Sequence, residues 1–553
     1  MRNLIRVFVV FAVSALAFAG SKISPDMPTS TANGLVDVII QFNWTPAKND
    51  LKQIGPYGQV KKQFTAVNAI QITLPTSLVR TLGTNPAFTF IKYISPVRKL
   101  KRSLDITTQT VNAGLAWANG LDGSGVGVAV IDSGVAPKAD LMASDGIHSR
   151  VVYSQSFVAG LDASDQYGHG THVAGIVGGN GSASTGLGFT RTLKGVAPNV
   201  NLINLRVLDA NGGGDESSVI SAVQQAIALK NVYNIRVINL SLGHPVYESY
   251  TLDPLCQAIE AAWQAGIVVV TAAGNYGRDN SMGTLGYGTI ASPGNDPYVI
   301  TVGAMNAHGT PFRTDDTIAS YSSKGPTLID HIAKPDLVAP GNGIVSLLAS
   351  PTCTLAAVPG TLISKSYYQI GAFGTSSDYF SLSGTSMATP VVSGAVALML
   401  QRYPSLTPDQ VKARLMKSAW KAVPLYSTAR DLKRGTIFNN QSDIFAVGAG
   451  ELDINSALAN TDLAALPALS PTVVYNNRHV SLSASAGSVW GSAIVWGEAI
   501  VWGENVILKG TAIVWGEAIV WGDSGLSGFA IVWGDSPYLS ESIVASSDDD
   551  GDQ

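Results

Sequence analysis

Residues 236–275 read RVINLSLGHPVYESYTLDPLCQAIEAAWQAGIVVVTAAGN. Both ends, 236–243 and 267–274, are strand-like runs rich in Val and Ile that finish at glycine. Between them CQAIEAAWQAG (256–266) reads as an amphipathic helix. Working outward, VGVAVID (126–132), NVNLINLRVL (199–208) and PYVITVGA (297–304) are further strands, and SVISAVQQAIALK (218–230) is another helix. Near-continuous apolar strands separated by helices define a mostly parallel sheet covered on both faces. The expected fold over 104–460 is therefore α/β, a three-layer sandwich. In such sheets the working residues gather beyond the carboxyl ends of the strands.

Composition supports a large core. Hydrophobic residues make up 46% of the 553 and charged ones only 13%, against roughly 25% charged in typical soluble domains. That balance suits tight turns around buried strands and excludes a coiled coil or a long disordered chain. With a formal charge of −4 and one short basic run, KLKR at 99–102, nucleic acid is excluded as a partner. The two cysteines, Cys256 and Cys353, lie in no CxxC or zinc-like cluster, so thiol chemistry does not drive function. A disulfide between them and a pair of buried thiols are both open.

Three short stretches carry chemistry. SLSGTSMATPVVSGAVALML (381–400) puts Ser386 at the mouth of an apolar helix. A serine at a helix start is ordinary capping chemistry unless a base and an acid lie elsewhere in the chain. AVIDSGV (129–135) leaves Asp132 at the end of an apolar strand, and DQYGHGTHVAGIVGG (165–179) supplies His169 and His172. The H-G-T-H spacing lacks the glutamate and third ligand of a zinc motif. Histidine is the suitable base for a serine at neutral pH, and a carboxylate on its other ring nitrogen fixes the tautomer. In IVVVTAAGNYG (267–277), Asn275 can join the free N–H of Ser386 as an oxyanion donor.

The set AVIDSGV, GHGTHVAG, VINLSLG, AAGN, KPDLVAPG (334–341) and SGTSMATPVVSG (383–394) resembles the subtilisin family of serine endopeptidases, the subtilases. The order Asp, His, Ser is theirs, whereas a lipase or esterase would show G-x-S-x-G with serine first. The resemblance implies Asp132, His169 and Ser386 as the triad and Asn275 as the oxyanion donor. It also implies that Ser241, Leu242, Gly243, Ala272, Ala273 and Gly274 line the pocket for the residue before the scissile bond, with Ala291 near its base. With no acidic residue apparent there, a roomy pocket for Phe, Tyr, Leu or Met is expected. No cofactor is required for the chemistry. Structural calcium is expected by analogy, with oxygen donors in NGSASTGLG (180–188) and LDANGGGDES (208–217). The rival reading is a catalytically inactive subtilase-like protein with a binding or surface-structural role.

The flanks extend this picture. Residues 1–19 have the charged start, apolar centre and Ala-Phe-Ala end of an export signal, so a secreted or extracytoplasmic location is expected, with cell-surface association in reach. A spacer (20–34) precedes a small α+β unit (35–103) that ends in the basic VRKLKRS. This unit resembles the family's inhibitory propeptide, an intramolecular partner that is later cut away, although its first helix is poorly visible in TPAKNDLKQIGPYG (45–58). SPTCTLAAVPGTLISKSYYQIGAFGTSSDYF (350–380) reads as an inserted surface segment. A linker (461–485) leads to a region, 486–536, in which VWG recurs six times with glycines mostly six residues apart. That spacing predicts β-rich repeats that stack on one another or mediate cell-envelope docking or self-association. An acidic tail (537–553) is expected to be disordered.

Overall fold

The computed structural model describes residues 22–24, 27, 34–64, 68–97, 104–431, 435–464, 467–476, 479–483 and 506–508. The signal segment, most of the spacer, the 98–103 junction, the VWG repeats apart from Val506–Leu508, and the acidic tail lie outside the described residues. The chain divides into two compact units, Met1–Leu100 with Ile370–Gly374 and Lys101–Gln369 with Thr375–Gln553.

The first unit is α+β. Strands β1 (Leu35–Phe42), β2 (Gln59–Phe64), β3 (Ala69–Pro75) and β4 (Ile91–Pro96) form an antiparallel sheet in the order β2-β3-β1-β4. Val36, Val38, Ile40 and Phe42 alternate inward along β1, as a strand with one covered face must. Helix α1 (Lys48–Ile54) does form within the weakly patterned 45–58 stretch. Its start is fixed by Asp50, whose carboxylate accepts the Ala47 N–H at 2.9 Å. Helix α2 (Thr76–Thr84) buries Val79 and Leu82. Residues 59–75 form two strands, β2 being a largely exposed edge.

The second unit is built on an eight-stranded sheet. In chain order its elements are β5 (Gly127–Asp132), β6 (Val151–Ser156), α3 (His169–Gly178), β7 (Asn201–Arg206), α4 (Glu216–Tyr233), β8 (Ile235–Leu240), α5 (Pro254–Gln264), β9 (Val268–Ala272), β10 (Ile300–Asn306), β11 (Thr317–Ile318) and β12 (Leu337–Pro340). The order across the sheet is β11-β10-β9-β8-β5-β7-β6, with β12 also on β10. Every pairing is parallel except that of β11. All residues of β5, β9 and β10 are buried, which is why these strands read as unbroken apolar runs. Each Val or Ile so placed contributes roughly 1.5–3 kcal/mol relative to an exposed one. Helices α4 and α5 pack together against the sheet, and α3 packs against the later helix α6 (Thr385–Arg402). The mixed, mostly parallel sheet with its helices is the expected α/β sandwich.

The topology chooses where the site lies. From β5 the chain winds out to β6 and β7 on one side, then returns to build β8, β9 and β10 on the other. The reversal occurs at β5, whose last residue is Asp132. Helix α6 is reached through a strand, Thr375–Leu382, that closes the inserted segment. Sixteen consecutive residues of α6, Thr385 to Leu400, are buried.

Candidate active site

Asp132 ends β5 with its carboxylate turned back on its own turn. Its Oδ1 accepts the Ser133 N–H at 2.7 Å and faces His169 Nδ1 at 2.8 Å. Both side chains are almost wholly buried. A carboxylate at Nδ1 assigns the ring proton to that nitrogen and leaves the lone pair on Nε2. His169 is the first residue of α3, and a close approach sets its place. A Cβ on Gly170 would come within 2.2 Å of the Gly134 carbonyl oxygen, so only glycine lets α3 start against the Asp132 turn.

Asp165, four residues before His169, fastens the same junction. Its Oδ1 accepts from Ser133 Oγ and the Gly168 N–H, and its Oδ2 from the Thr171 N–H and Oγ1, all within 2.9 Å. Burial raises its pKa, opposed by these bonds. The sequence reading passed over this residue, although an acid just ahead of a helix start is a recognisable signal. His172, one turn into α3, is an interior group. Its Nε2 meets the Ile344 carbonyl at 3.1 Å, its ring lies edge-on to Phe380, and burial and then the His169 charge push its pKa down to about 3.

Ser386 is the second residue of α6, and Asn275 follows β9. The Asn275 carboxamide is oriented by Thr385, whose N–H and Oγ1 both donate to Asn275 Oδ1, at 2.9 and 3.1 Å. With Oδ1 engaged, the –NH₂ end is the one left to meet a ligand oxygen. A Cβ built on Gly384 would stand 3.4 Å from Asn275 Nδ2 and 3.6 Å from the Ser386 nitrogen. Both donors therefore border one small space beside Gly384, which suits an oxyanion. Thr385 also accepts the Gly274 N–H at 3.2 Å. Its part was invisible in sequence, because its partner lies 110 residues away.

One open cavity gathers these groups. His169, Asn275 and Ser386 line it together with Ser241, Leu242, Gly243, Ala272, Gly274 and Ala291. Leu208, Gly212, Tyr276 and Thr385, not singled out from the sequence, complete the wall. Asp132 lies behind His169. Ala273 is also off the cavity; it is fully buried, and its N–H donates to the Val302 carbonyl. Ser241, Leu242 and Gly243 follow β8, which ends at Leu240. No acidic side chain lines the cavity.

In and beside the loops named for calcium, carboxylate oxygens accept hydrogen bonds from nearby protein groups. Asp140, beside the 180–188 loop, accepts from Ser182 Oγ, the Ala183 N–H and Tyr379 Oη. The Arg150 guanidinium takes the carbonyls of Asp140, Met142, Gly178 and Val200. In 208–217, Asp209 Oδ1 accepts the N–H groups of Asn211 and Gly213. Among the described residues, no three His, Cys, Asp or Glu side chains group as a metal site. Cys256 and Cys353 are both buried free thiols, each with its pKa raised by burial.

The site thus brings a strand-end aspartate under a histidine, and the histidine into one cleft with a helix-start serine and an oriented amide. Comparison with known proteins is more specific. The subtilase family profile matches residues 123–450. The chain is 37% identical over 377 residues to the serine protease AprX of Bacillus subtilis (strain 168), covering 66% of this chain and 77% of that protein. It is 34% identical over 365 residues to subtilisin E of the same organism, 66% and 78% of the two chains. With subtilisin J of Geobacillus stearothermophilus the figures are 31% over 419 residues, 74% and 92%. The chain belongs to the subtilase family and is a subtilisin-like serine endopeptidase. Subtilases need no cofactor for their chemistry.

Proposed function

We propose that the chain is a secreted endopeptidase in which Ser386 is the nucleophile, His169 the general base and acid, Asp132 its orienting carboxylate, and Asn275 with the Ser386 N–H the oxyanion site. The observation that carries this reading is the buried Asp132–His169 pair, 2.8 Å apart, whose imidazole borders the same cavity as Ser386 and Asn275. Ser386 Oγ attacks the scissile carbonyl while His169 Nε2 takes its proton. Asp132 stays ionised and stabilises the imidazolium. The negative oxygen of the tetrahedral intermediate is held by the two donors beside Gly384. His169 then protonates the leaving amine, and water repeats the cycle on the acyl-enzyme.

Specificity is broad, with a large apolar residue before the scissile bond. The wall formed by Leu242, Gly243, Ala272, Gly274 and Ala291 supports this, since it offers no carboxylate to a basic side chain. Ser241 and Ala273 belong to the same segments, one at the cavity surface and one behind it.

Residues 35–103 act as an inhibitory propeptide released near the basic 97–103 stretch. The export signal ends near Ala19, and the VWG region serves association with the cell envelope or with other copies. The test is hydrolysis of casein and a peptide anilide by purified chain freed of its leader. Wild type turns both over and Ser386→Ala does not. Near-normal hydrolysis by Ser386→Ala would remove the nucleophile from this scheme.

A further inference from the structure

In an α-helix each carbonyl accepts the N–H four residues on. For Ser386 that residue is Pro390, which has no N–H to give. The carbonyl lies in a buried stretch of helix, where an unbonded acceptor is costly.

Its partner comes from the segment just after β8. Ser241 Oγ donates to the Ser386 carbonyl at 2.9 Å. The Ser241 oxygen in turn accepts from Asn239 Nδ2 at 2.9 Å, and Asn239 Oδ1 accepts from Ser393 Oγ at 2.8 Å. Asn239 and Ser393 are completely buried and Ser241 nearly so. Every donor in this chain points toward Ser386, so the bonds polarise one another in one direction. The spacing also has mechanical meaning. Asn239 and Ser241, two apart, lie on one side of an extended segment, while Ser386 and Ser393, two turns apart, share one face of α6. The helix is thus tied at two points, and turning it about its axis breaks one of them.

We propose that Ser241 is a positioning residue for the nucleophile, anchored by Asn239 and Ser393, and that it supplies the bond Pro390 deletes. This rests on Ser386 being the nucleophile. The peptide unit that Ser241 holds begins at the Cα that carries both Oγ and the oxyanion N–H. A small rotation there displaces attacking atom and donor together. As part of the pocket wall alone, Ser241 would affect substrate binding and the ranking of substrates. As a positioning residue it sets turnover equally for all of them.

The test uses Ser241→Ala and Ser393→Ala protein freed of its leader, with anilides carrying Phe, Leu or Ala before the scissile bond. It also measures the rate of fluorophosphonate labelling, with thermal melts to verify folding. Ser241→Ala is expected to lower kcat roughly two- to tenfold, by one common factor, with KM within about twofold of wild type. Ser393→Ala, whose hydroxyl is remote from substrate, lowers kcat by a smaller common factor. The double variant falls no further than Ser241→Ala alone, because both act through one bond. Unchanged kcat and labelling in Ser241→Ala, or an altered KM with reordered substrates, would overturn the positioning role, and wild-type values for Ser393→Ala would overturn the relay. Failure of the underlying scheme looks different: wild type itself would not label at Ser386.

Discussion

Replacing Asn275 by alanine should produce two separable losses. In the proposed scheme Asn275 Nδ2 is one of two donors to the oxyanion, and its interaction strengthens only as charge develops on the substrate oxygen. Subtilisin is itself the reference case for this effect, and there the loss of its oxyanion asparagine costs roughly 2.7–4 kcal/mol, or about 10²–10³ in turnover. The same fall in kcat is expected here, with KM little changed. The second loss is structural. Asn275 Oδ1 accepts both the N–H and Oγ1 of Thr385, so truncation strands two donors at the start of α6. That costs about 1–3 kcal/mol, seen as a melting temperature lower by a few degrees in a unit of this size. Thr385→Val separates the two losses, because it removes one anchor and keeps the amide. It should lower kcat by only about two- to tenfold. Steady-state kinetics on one anilide and a thermal melt decide the matter. Asn275→Ala within a factor of about five of wild type in kcat would refute the oxyanion assignment, since an oriented donor in a low-dielectric cleft cannot be worth so little.

Three further outcomes follow from the geometry. His172 is neutral in the fold, with its pKa pushed down to about 3, whereas an unfolded histidine titrates near 6.5. Below pH 6.5 the unfolded chain gains a proton that the folded chain refuses, so this group erodes stability by up to about 1.4 kcal/mol per pH unit down to pH 3. In an inactive Ser386→Ala background, His172→Gln should flatten the slope of urea-unfolding stability between pH 6.5 and 4.5; an identical slope contradicts a neutral buried imidazole. Because Cys256 and Cys353 are free and buried, a thiol reagent should count none in native protein and two after denaturation, and none in both would mean a disulfide. A peptide library should rank Phe, Tyr, Leu and Met first before the scissile bond, and a strong preference for Arg or Lys would mean that a carboxylate reaches the pocket.

The sheet was legible in sequence because its central strands are buried on both faces. IVVVTAAG and VGVAVID have no polar face to disguise them, and a glycine ends the first and an aspartate the second at the carboxyl edge. The edges were not so clear. Strand β6, VVYSQS, mixes polar residues with half-exposed ones, and β12 and β11 are too short to show a period. Helix α1 has few apolar residues, and its start depends on Asp50 reaching back to Ala47. In the site, Asp132, His169, Asn275 and Ser386 were each readable at the end of an element. What escaped were the residues that hold them. Asp165 was readable only as an acid ahead of a helix start, not as the acceptor for Ser133, and Thr385 acts through a partner 110 residues away. Ser241 was assigned to the pocket wall, and its hydroxyl is spent on the Ser386 carbonyl, 145 residues away. The gap left by Pro390 was visible in the sequence; the group that fills it was not. Calcium was expected from glycine- and oxygen-rich loops; Asp209 in one of them and Asp140 beside the other accept hydrogen bonds from nearby protein groups.

The most direct measurement is covalent labelling of the mature protein with a fluorophosphonate, followed by peptide mapping. One label is expected, on Ser386, at a rate that collapses in His169→Ala and falls strongly in Asp132→Ala. An active preparation that stays unlabelled, or that carries the label on another serine, would contradict the assignment of this triad.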